Sequence, residues 1–277
     1  MTANLKQGGP PNSSADAGFQ FWRAFARHWQ ESVRYYGWWR SLREMANTTW
    51  DAFLELLPSR RKARFGDLDY DWEHSVNTTR SNVGVGTQFL TGVMARPYFA
   101  TEPWLFEQIM EALAPSIQQS AVSHGIVAQA RLQDFTFIDL GSGKGRALLM
   151  ASDYGFKRII GVEFMPELHC AAQKNAANYS NARQRCRQIE TLCIDARDFQ
   201  FPAEPLVVYL FNPFPEPVFA AVMDNLRRSI VQTPRAVYIA YRFPEFENLL
   251  LQAAWLEKVV GTEQWAVYEH RRETGFF

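Results

Sequence analysis

The sequence predicts an α/β fold: a doubly wound sheet of mostly parallel strands, closed by a C-terminal antiparallel hairpin and preceded by an N-terminal helical extension. Three observations predict it. Apolar, β-rich runs alternate with helical patterns from residue 135 to residue 254, the order that builds a parallel sheet covered on both faces. The first run ends in Gly141-Ser142-Gly143-Lys144-Gly145 and passes at once into Ala147-Leu148-Leu149-Met150-Ala151, a strand, tight turn and helix in succession. Finally, 255–260 and 265–270 are β-rich and flank a short turn with Gly261, which reads as a hairpin.

In chain order, residues 1–17 are polar and rich in breakers (Gly8-Gly9-Pro10-Pro11), which predicts a disordered tail. Residues 18–95 read as a helical extension with a covering loop. Phe21, Trp22, Phe25, Trp29, Val33 and Tyr36 recur at three- and four-residue intervals, giving one helix an aromatic face. A second helix, starting near Trp38 or Asn47, stops at Pro58. The aromatic face suits a cap packed on the main domain; with its arginines it also suits contact with a membrane surface or a protein partner. The stretch 65–100 is irregular, with acids among aromatics at 67–74 and a joint at Gly84-Val85-Gly86. A loop of that length is expected to cover a site.

Residues 96–277 form the main domain. A helix is expected to about Leu113, with Leu105, Ile109 and Leu113 on one face, Thr101 as N-cap and Pro103 in its first turn. Strands are expected over 135–140, 158–163, 190–194, 206–211 and 235–241. Helices fall at about 144–154, from Pro166 to 179, 216–230 and 245–254.

Composition narrows the function. The chain has 277 residues, and Lys+Arg and Asp+Glu are both 29, a balance that argues against a dedicated nucleic-acid binder. Cys170, Cys186 and Cys193 lack metal-ligand spacing and read as reduced, buried thiols of a cytoplasmic protein, with no metal site. No apolar run is long enough to span a membrane and no signal peptide is evident.

In such sheets ligands bind beyond the carboxyl ends of the strands. The groups placed there are Asp139 and Gly141 to Gly145 after the first strand, Glu163 after the second, Asp195-Ala196 after the third and Asn212-Pro213-Phe214 after the fourth. Glu163 lies 22 residues beyond Gly141, the separation at which a carboxylate reaches ribose hydroxyls. Asp195 could accept from an adenine amino group, or simply cap a strand end. Asn212 offers an amide dipole and Phe214 an aromatic wall, or together with Pro213 they form a proline turn.

This set resembles the class I, seven-β-strand S-adenosylmethionine-dependent methyltransferases. The matching stretches are Ile138 to Gly145, Gly161-Val162-Glu163, Cys193-Ile194-Asp195-Ala196 and Phe211-Asn212-Pro213-Phe214, with the terminal hairpin. The resemblance implies a Rossmann-like sheet and S-adenosylmethionine as cofactor. Asp139, Gly141, Ser142, Gly143 and Gly145 would lie at its methionine end, Glu163 at the ribose, and Asp195 and Ala196 at the adenine. Tyr98 and Thr101 are similar to a Tyr-x-x-Thr-like segment that reaches the cofactor carboxylate in some protein-lysine methyltransferases of this fold. Asn212-Pro213-Phe214 is similar to the Asn/Asp-Pro-Pro-Tyr/Phe motif of enzymes that methylate amide or amine nitrogens, but has one proline before the aromatic. Asn212 and Phe214 are therefore the expected catalytic pair, with Asn212 also expected to touch the cofactor, and the acceptor is expected to be a protein side chain or a small molecule rather than nucleic acid. Two rivals stay open. An NAD-dependent oxidoreductase would want Gly-x-Gly-x-x-Gly, and a non-catalytic adenosyl-ligand-binding protein could keep the same fold.

Overall fold

A computed structural model describes residues 23, 26–27, 29–43, 45–46, 68–79, 99–123 and 131–271. The tail, the Gly84-Val85-Gly86 joint and Tyr98 lie outside the described residues. Seven strands form one sheet: β1 (Thr136–Leu140), β2 (Arg158–Glu163), β3 (Ile189–Cys193), β4 (Leu206–Phe211), β5 (Val237–Arg242), β6 (Leu256–Gly261) and β7 (Trp265–His270). Their order is β3-β2-β1-β4-β5-β7-β6. β1 to β5 pair in parallel, whereas β7 runs antiparallel to β5 and to β6. This is the doubly wound sheet with a terminal hairpin expected from the pattern. Strand order reverses between β1 and β4, the place where sheets of this kind bind ligands beyond the carboxyl ends of their strands.

The described helices are α1 (residues 29–36), α2 (38–43), α3 (Leu68–Glu73), α4 (Pro103–Ser123), α5 (Arg146–Ala151), α6 (Pro166–Asn178), α7 (Glu216–Gln232) and α8 (Glu247–Leu251). Every residue of β1 is buried because helices cover both faces, which is why the strand reads as a continuous apolar run. On one face Phe137, Ile159, Val207 and Tyr209 pack with Leu105, Phe106, Ile109 and Leu113 of α4 and with Leu148 and Leu149 of α5. On the other, Ile138, Leu140, Ile160 and Val208 pack with Phe219, Val222 and Leu226 of α7.

Several boundaries differ from expectation. Helix α4 runs on to Ser123 with Pro115 inside it; a proline reads as a stop, but buried Ile117 continues the apolar face beyond it. Thr101 is not the N-cap of α4. Leu105 and Phe106 donate to the Glu102 carbonyl, and the Thr101 hydroxyl turns instead to Tyr209. The helix expected over 245–254 shrinks to α8, and 152–154 tightens into a 3₁₀ turn after α5. The acid-aromatic stretch is not irregular: it contains α3. Of the cysteines only Cys186 is buried; Cys193 is half-buried and Cys170 exposed.

Candidate active site

The Gly-rich turn leaves β1 with Gly141 and Ser142 both donating to the Val162 carbonyl, at 2.8 and 3.0 Å. Gly141 has φ +80°, and a Cβ there would lie 2.3 Å from Cβ of Pro213. The position therefore accepts only glycine, for conformation and for space, and the turn after β4 packs directly on the turn after β1. Gly161 on β2 serves a different approach: a Cβ would meet Leu148 Cδ1 at 2.5 Å and Ser142 Oγ at 2.9 Å.

Three polar groups converge beside this turn. Asp139 pairs in register with Gly161 and Tyr209 and is buried. Burial, and then the Glu163 carboxylate, push its carboxyl well above the usual range. Glu163 is also buried. Its Oε2 accepts the Gly143 N–H and its Oε1 the Met165 N–H, each at 2.8 Å. Burial raises its pKa, and those backbone donors oppose the rise. Ser142 Oγ is buried without a hydrogen-bond partner. A buried carboxyl and an orphaned hydroxyl at a strand-switch point are the groups a cationic, hydrogen-bonding ligand would satisfy.

Around them stand the other expected residues. Thr101 is buried, with Oγ1 2.8 Å from the Tyr209 hydroxyl on β4. The next residue, Glu102, faces Arg242 at the end of β5 at 3.4 Å, so this segment is fixed over the ends of β4 and β5. Ala196 is buried at the start of a 3₁₀ turn that Asp195 caps by accepting the Arg197 N–H at 2.9 Å. The Asp195 carboxylate also receives Arg197 Nε and Nη2. Burial pushes Asp195 upward, but the hydrogen bonds and charge of Arg197 outweigh it and hold the carboxyl below its ordinary range. Arg197 in turn binds Glu31 of α1.

At the end of β4, Asn212 is buried and has φ +40°. Its Nδ2 donates to Glu245 at 2.6 Å and its Oδ1 accepts from the Tyr241 hydroxyl at 3.1 Å. Phe214 is half-buried against the α7 side of the core. The structure thus brings Asp139, Gly141, Ser142, Gly143, Gly145, Glu163, Thr101 and Asn212 to one edge of the sheet. Asp195 and Ala196 flank that edge beyond β3.

Four residues escaped the sequence reading. Arg146, in the first turn of α5, looks like a solvent-facing helix residue. It is fully buried instead, with Nε on Thr78 at 2.6 Å, Nη2 on Asp71 at 3.3 Å and its guanidinium 5.0 Å from the Tyr70 ring. Lys144 is buried and reaches Asn77 at 3.2 Å; burial lowers its pKa, with Asp71 opposing. The segment 70–79 is therefore strapped onto the helix that follows the Gly-rich turn. The other two are Arg197 and Glu245. The acids among aromatics at 67–74 were the available signal for a buried cation's partner. Among the described residues no helix is long and apolar enough to cross a membrane, and no cluster of His, Cys, Asp or Glu could hold a metal ion.

No protein-family model and no curated protein sequence matches the chain. Solved structures similar to it include an RNA methyltransferase from Salinibacter ruber in complex with S-adenosylhomocysteine. It shares 21% identity over 62% of this chain and 92% of that one, with a TM-score of 0.38. A ribosomal protein L11 methylase from Lactobacillus delbrueckii subsp. bulgaricus shares 15% identity over 58% and 78%, with a TM-score of 0.36. The magnesium protoporphyrin IX methyltransferase from Synechocystis with bound S-adenosylmethionine shares 12% over 62% and 85%, also at 0.36. The fold assignment stands on this chain's own strand order and on the reversed direction of β7.

Proposed function

We propose that the chain is an S-adenosylmethionine-dependent methyltransferase whose acceptor is a nitrogen of a protein side chain or a small molecule. The observation that carries the reading is the cluster of Asp139, Ser142 and Glu163 at the switch point between β1 and β4. There a carboxyl held above its usual pKa and an unpartnered hydroxyl sit beside a Gly-rich turn. These groups fit a ligand that carries a positive charge at one end and a ribose beyond it. S-adenosylmethionine held by Asp139, Gly143 and Glu163 would supply an electrophilic methyl on a cationic sulfur, open to an acceptor lone pair without further activation.

The chain's own residues bind, orient and exclude water. Asp139 faces the cationic end of the ligand, which returns its carboxyl to the ionised form. Glu163 has lone pairs beyond the two that accept Gly143 and Met165, enough for a ribose diol. Thr101 closes the methionine end, and Asp195 borders the adenine. Asn212 orients the acceptor and Phe214 walls it, since methyl transfer needs alignment more than acid-base help.

Calorimetry of the full chain with S-adenosylmethionine, S-adenosylhomocysteine and NAD tests the reading. The two adenosyl ligands should bind and NAD should not. Binding of NAD alone would turn the assignment to an oxidoreductase. Labelled methyl transfer into fractionated cell extract then identifies the acceptor, and label recovered in nucleic acid would overturn the acceptor class proposed.

A further inference from the structure

Building on the methyltransferase reading, we propose that Glu245 is a positioning residue that fixes the polarity of the Asn212 amide, and that the site thereby takes an acceptor presenting an N–H. The amide is held at both ends, by Glu245 Oε2 at 2.6 Å and by the Tyr241 hydroxyl at 3.1 Å. An ionised carboxylate only accepts, so the amide nitrogen must face Glu245, and the amide oxygen is left for the phenol, which can donate. Turned over, the amide would set oxygen against carboxylate. The bond to Glu245 is charge-assisted and so outweighs the phenol bond in choosing the rotamer.

The backbone is shaped to make that contact. Phe211 and Arg242 are paired neighbours, so the turns after β4 and β5 start at the same level. Both turns contain a left-handed non-glycine residue, Asn212 at φ +40° and Phe243 at φ +53°. Asparagine tolerates this region; phenylalanine rarely does, so the surroundings must impose it. Here Phe243 N–H donates to the Gln264 carbonyl at 2.7 Å and Glu245 N–H to the Phe243 carbonyl at 2.8 Å. The left-handed bend at Phe243 thus returns the chain so that Glu245 meets Asn212.

With these partners Asn212 keeps one Oδ1 lone pair and one Nδ2 hydrogen. An acceptor nitrogen that donates an N–H to Oδ1 retains its own lone pair for the methyl carbon. A flipped amide would point donor at donor and expel the same acceptor. Glu245 therefore acts through Asn212.

The test uses the full ¹⁵N-labelled chain with S-adenosylhomocysteine, with the Asn212 side-chain resonances assigned by their loss in Asn212→Asp. One Asn212 amide proton should lie downfield. Glu245→Ala should abolish that shift, and Glu245→Gln, whose carbonyl still accepts, should keep part of it. A downfield proton that survives in Glu245→Ala overturns the positioning role. In parallel, Glu245→Ala should lower labelled methyl incorporation into fractionated extract about 100-fold, the scale of a misplaced reacting group, with partial rescue by Glu245→Gln. Affinity for S-adenosylhomocysteine should be unchanged in both variants. Equal incorporation by Glu245→Ala and wild type, or label found on oxygen or carbon, overturns the proposal. If wild type fails to bind S-adenosylhomocysteine, the methyltransferase reading falls instead, and the resonance comparison, made without ligand, still decides what holds Asn212.

Discussion

A carboxyl group removed from water with a second carboxylate beside it works against the protein that carries it, and Asp139 is in that position. The unfolded chain releases this proton in the ordinary carboxylate range, whereas the folded chain holds it to higher pH. Between those two points the folded state binds more protons, so the contribution of Asp139 to stability falls as pH rises through the window. Asp139→Asn keeps the shape and removes the ionisation. Without ligand the variant should be more stable than wild type at pH 8, with a gain that shrinks towards pH 4, read by urea denaturation at several pH values. Each kcal/mol gained should raise Tm by roughly 2–4 °C in a chain of this size. Its affinity for S-adenosylmethionine should fall at least about 10-fold, since a neutral amide no longer faces the cationic end. A variant less stable than wild type at every pH would mean that Asp139 serves the fold, not the ligand.

Helix α5 has only six residues, Arg146 to Ala151, too short to hold itself, and the segment 70–79 supplies the missing support. Asp71 accepts the backbone N–H groups of Thr78 and Thr79, which ties the strap into a loop, and the same carboxylate meets Arg146. Burial pushes the Asp71 carboxyl upward, but the hydrogen bonds from Thr78 and Thr79 hold it below its ordinary range. Asn175 of α6 closes the arrangement, with Nδ2 on the Lys144 carbonyl at 2.9 Å and Oδ1 accepting Asn77 N–H at 2.9 Å. Arg146→Ala removes the cation bonded to the half-buried Asp71 carboxylate, with Lys144 still nearby, and should cost about 1–3 kcal/mol in chemical denaturation. Asp71→Asn should cost less, because an amide oxygen can still accept from the threonines. Chymotrypsin should then cut after Tyr70 and Trp72 faster in Arg146→Ala. Unchanged cleavage and stability would show the strap to be held by other contacts. Element identity was legible here and element support was not. β1, the Gly-rich turn and α5 follow from a local pattern, but the partner of Arg146 lies 75 residues away. The far end of α4 was missed in the same manner: Leu105, Ile109 and Leu113 mark the helix locally, but Ile117 carries its apolar face on past Pro115 against the sheet.

Across the whole molecule, legibility follows sequence distance. The strand ends that carry Asp139, Glu163 and Asn212 could be read because a strand and its exit turn are contiguous. Arg197 and Glu245 could not, because each matters through a partner far along the chain, Glu31 at 166 residues and Asn212 at 33. The first of these links joins the helical extension to the carboxyl edge of the sheet. Arg27 bonds Asp198 at 2.7 Å, Glu31 bonds Arg197, and Tyr36 donates to Glu216 at 2.6 Å, so Arg27 and α1 together span from the turn after β3 to the start of α7. The aromatic extension is thus docked on the main domain through a polar edge, while Trp38 and Trp39 remain exposed. The Arg27–Asp198 pair is open to solvent and worth about 0–1 kcal/mol. The Arg197 side chain is only 4% exposed, so Glu31 is the stronger anchor. Because Arg197 also holds Asp195, a ligand that settles against Asp195 stiffens the groups that hold α1. S-adenosylhomocysteine should therefore slow tryptic cleavage after Arg34 and Arg40, sites exposed on α1 and α2. Glu31→Ala should speed that cleavage and remove most of the ligand's protection, while Asp198→Ala should do little. Cleavage at the same rate with and without ligand, in a wild-type chain shown to bind it, would separate the extension from the site and leave α1 a cap with no share in cofactor binding.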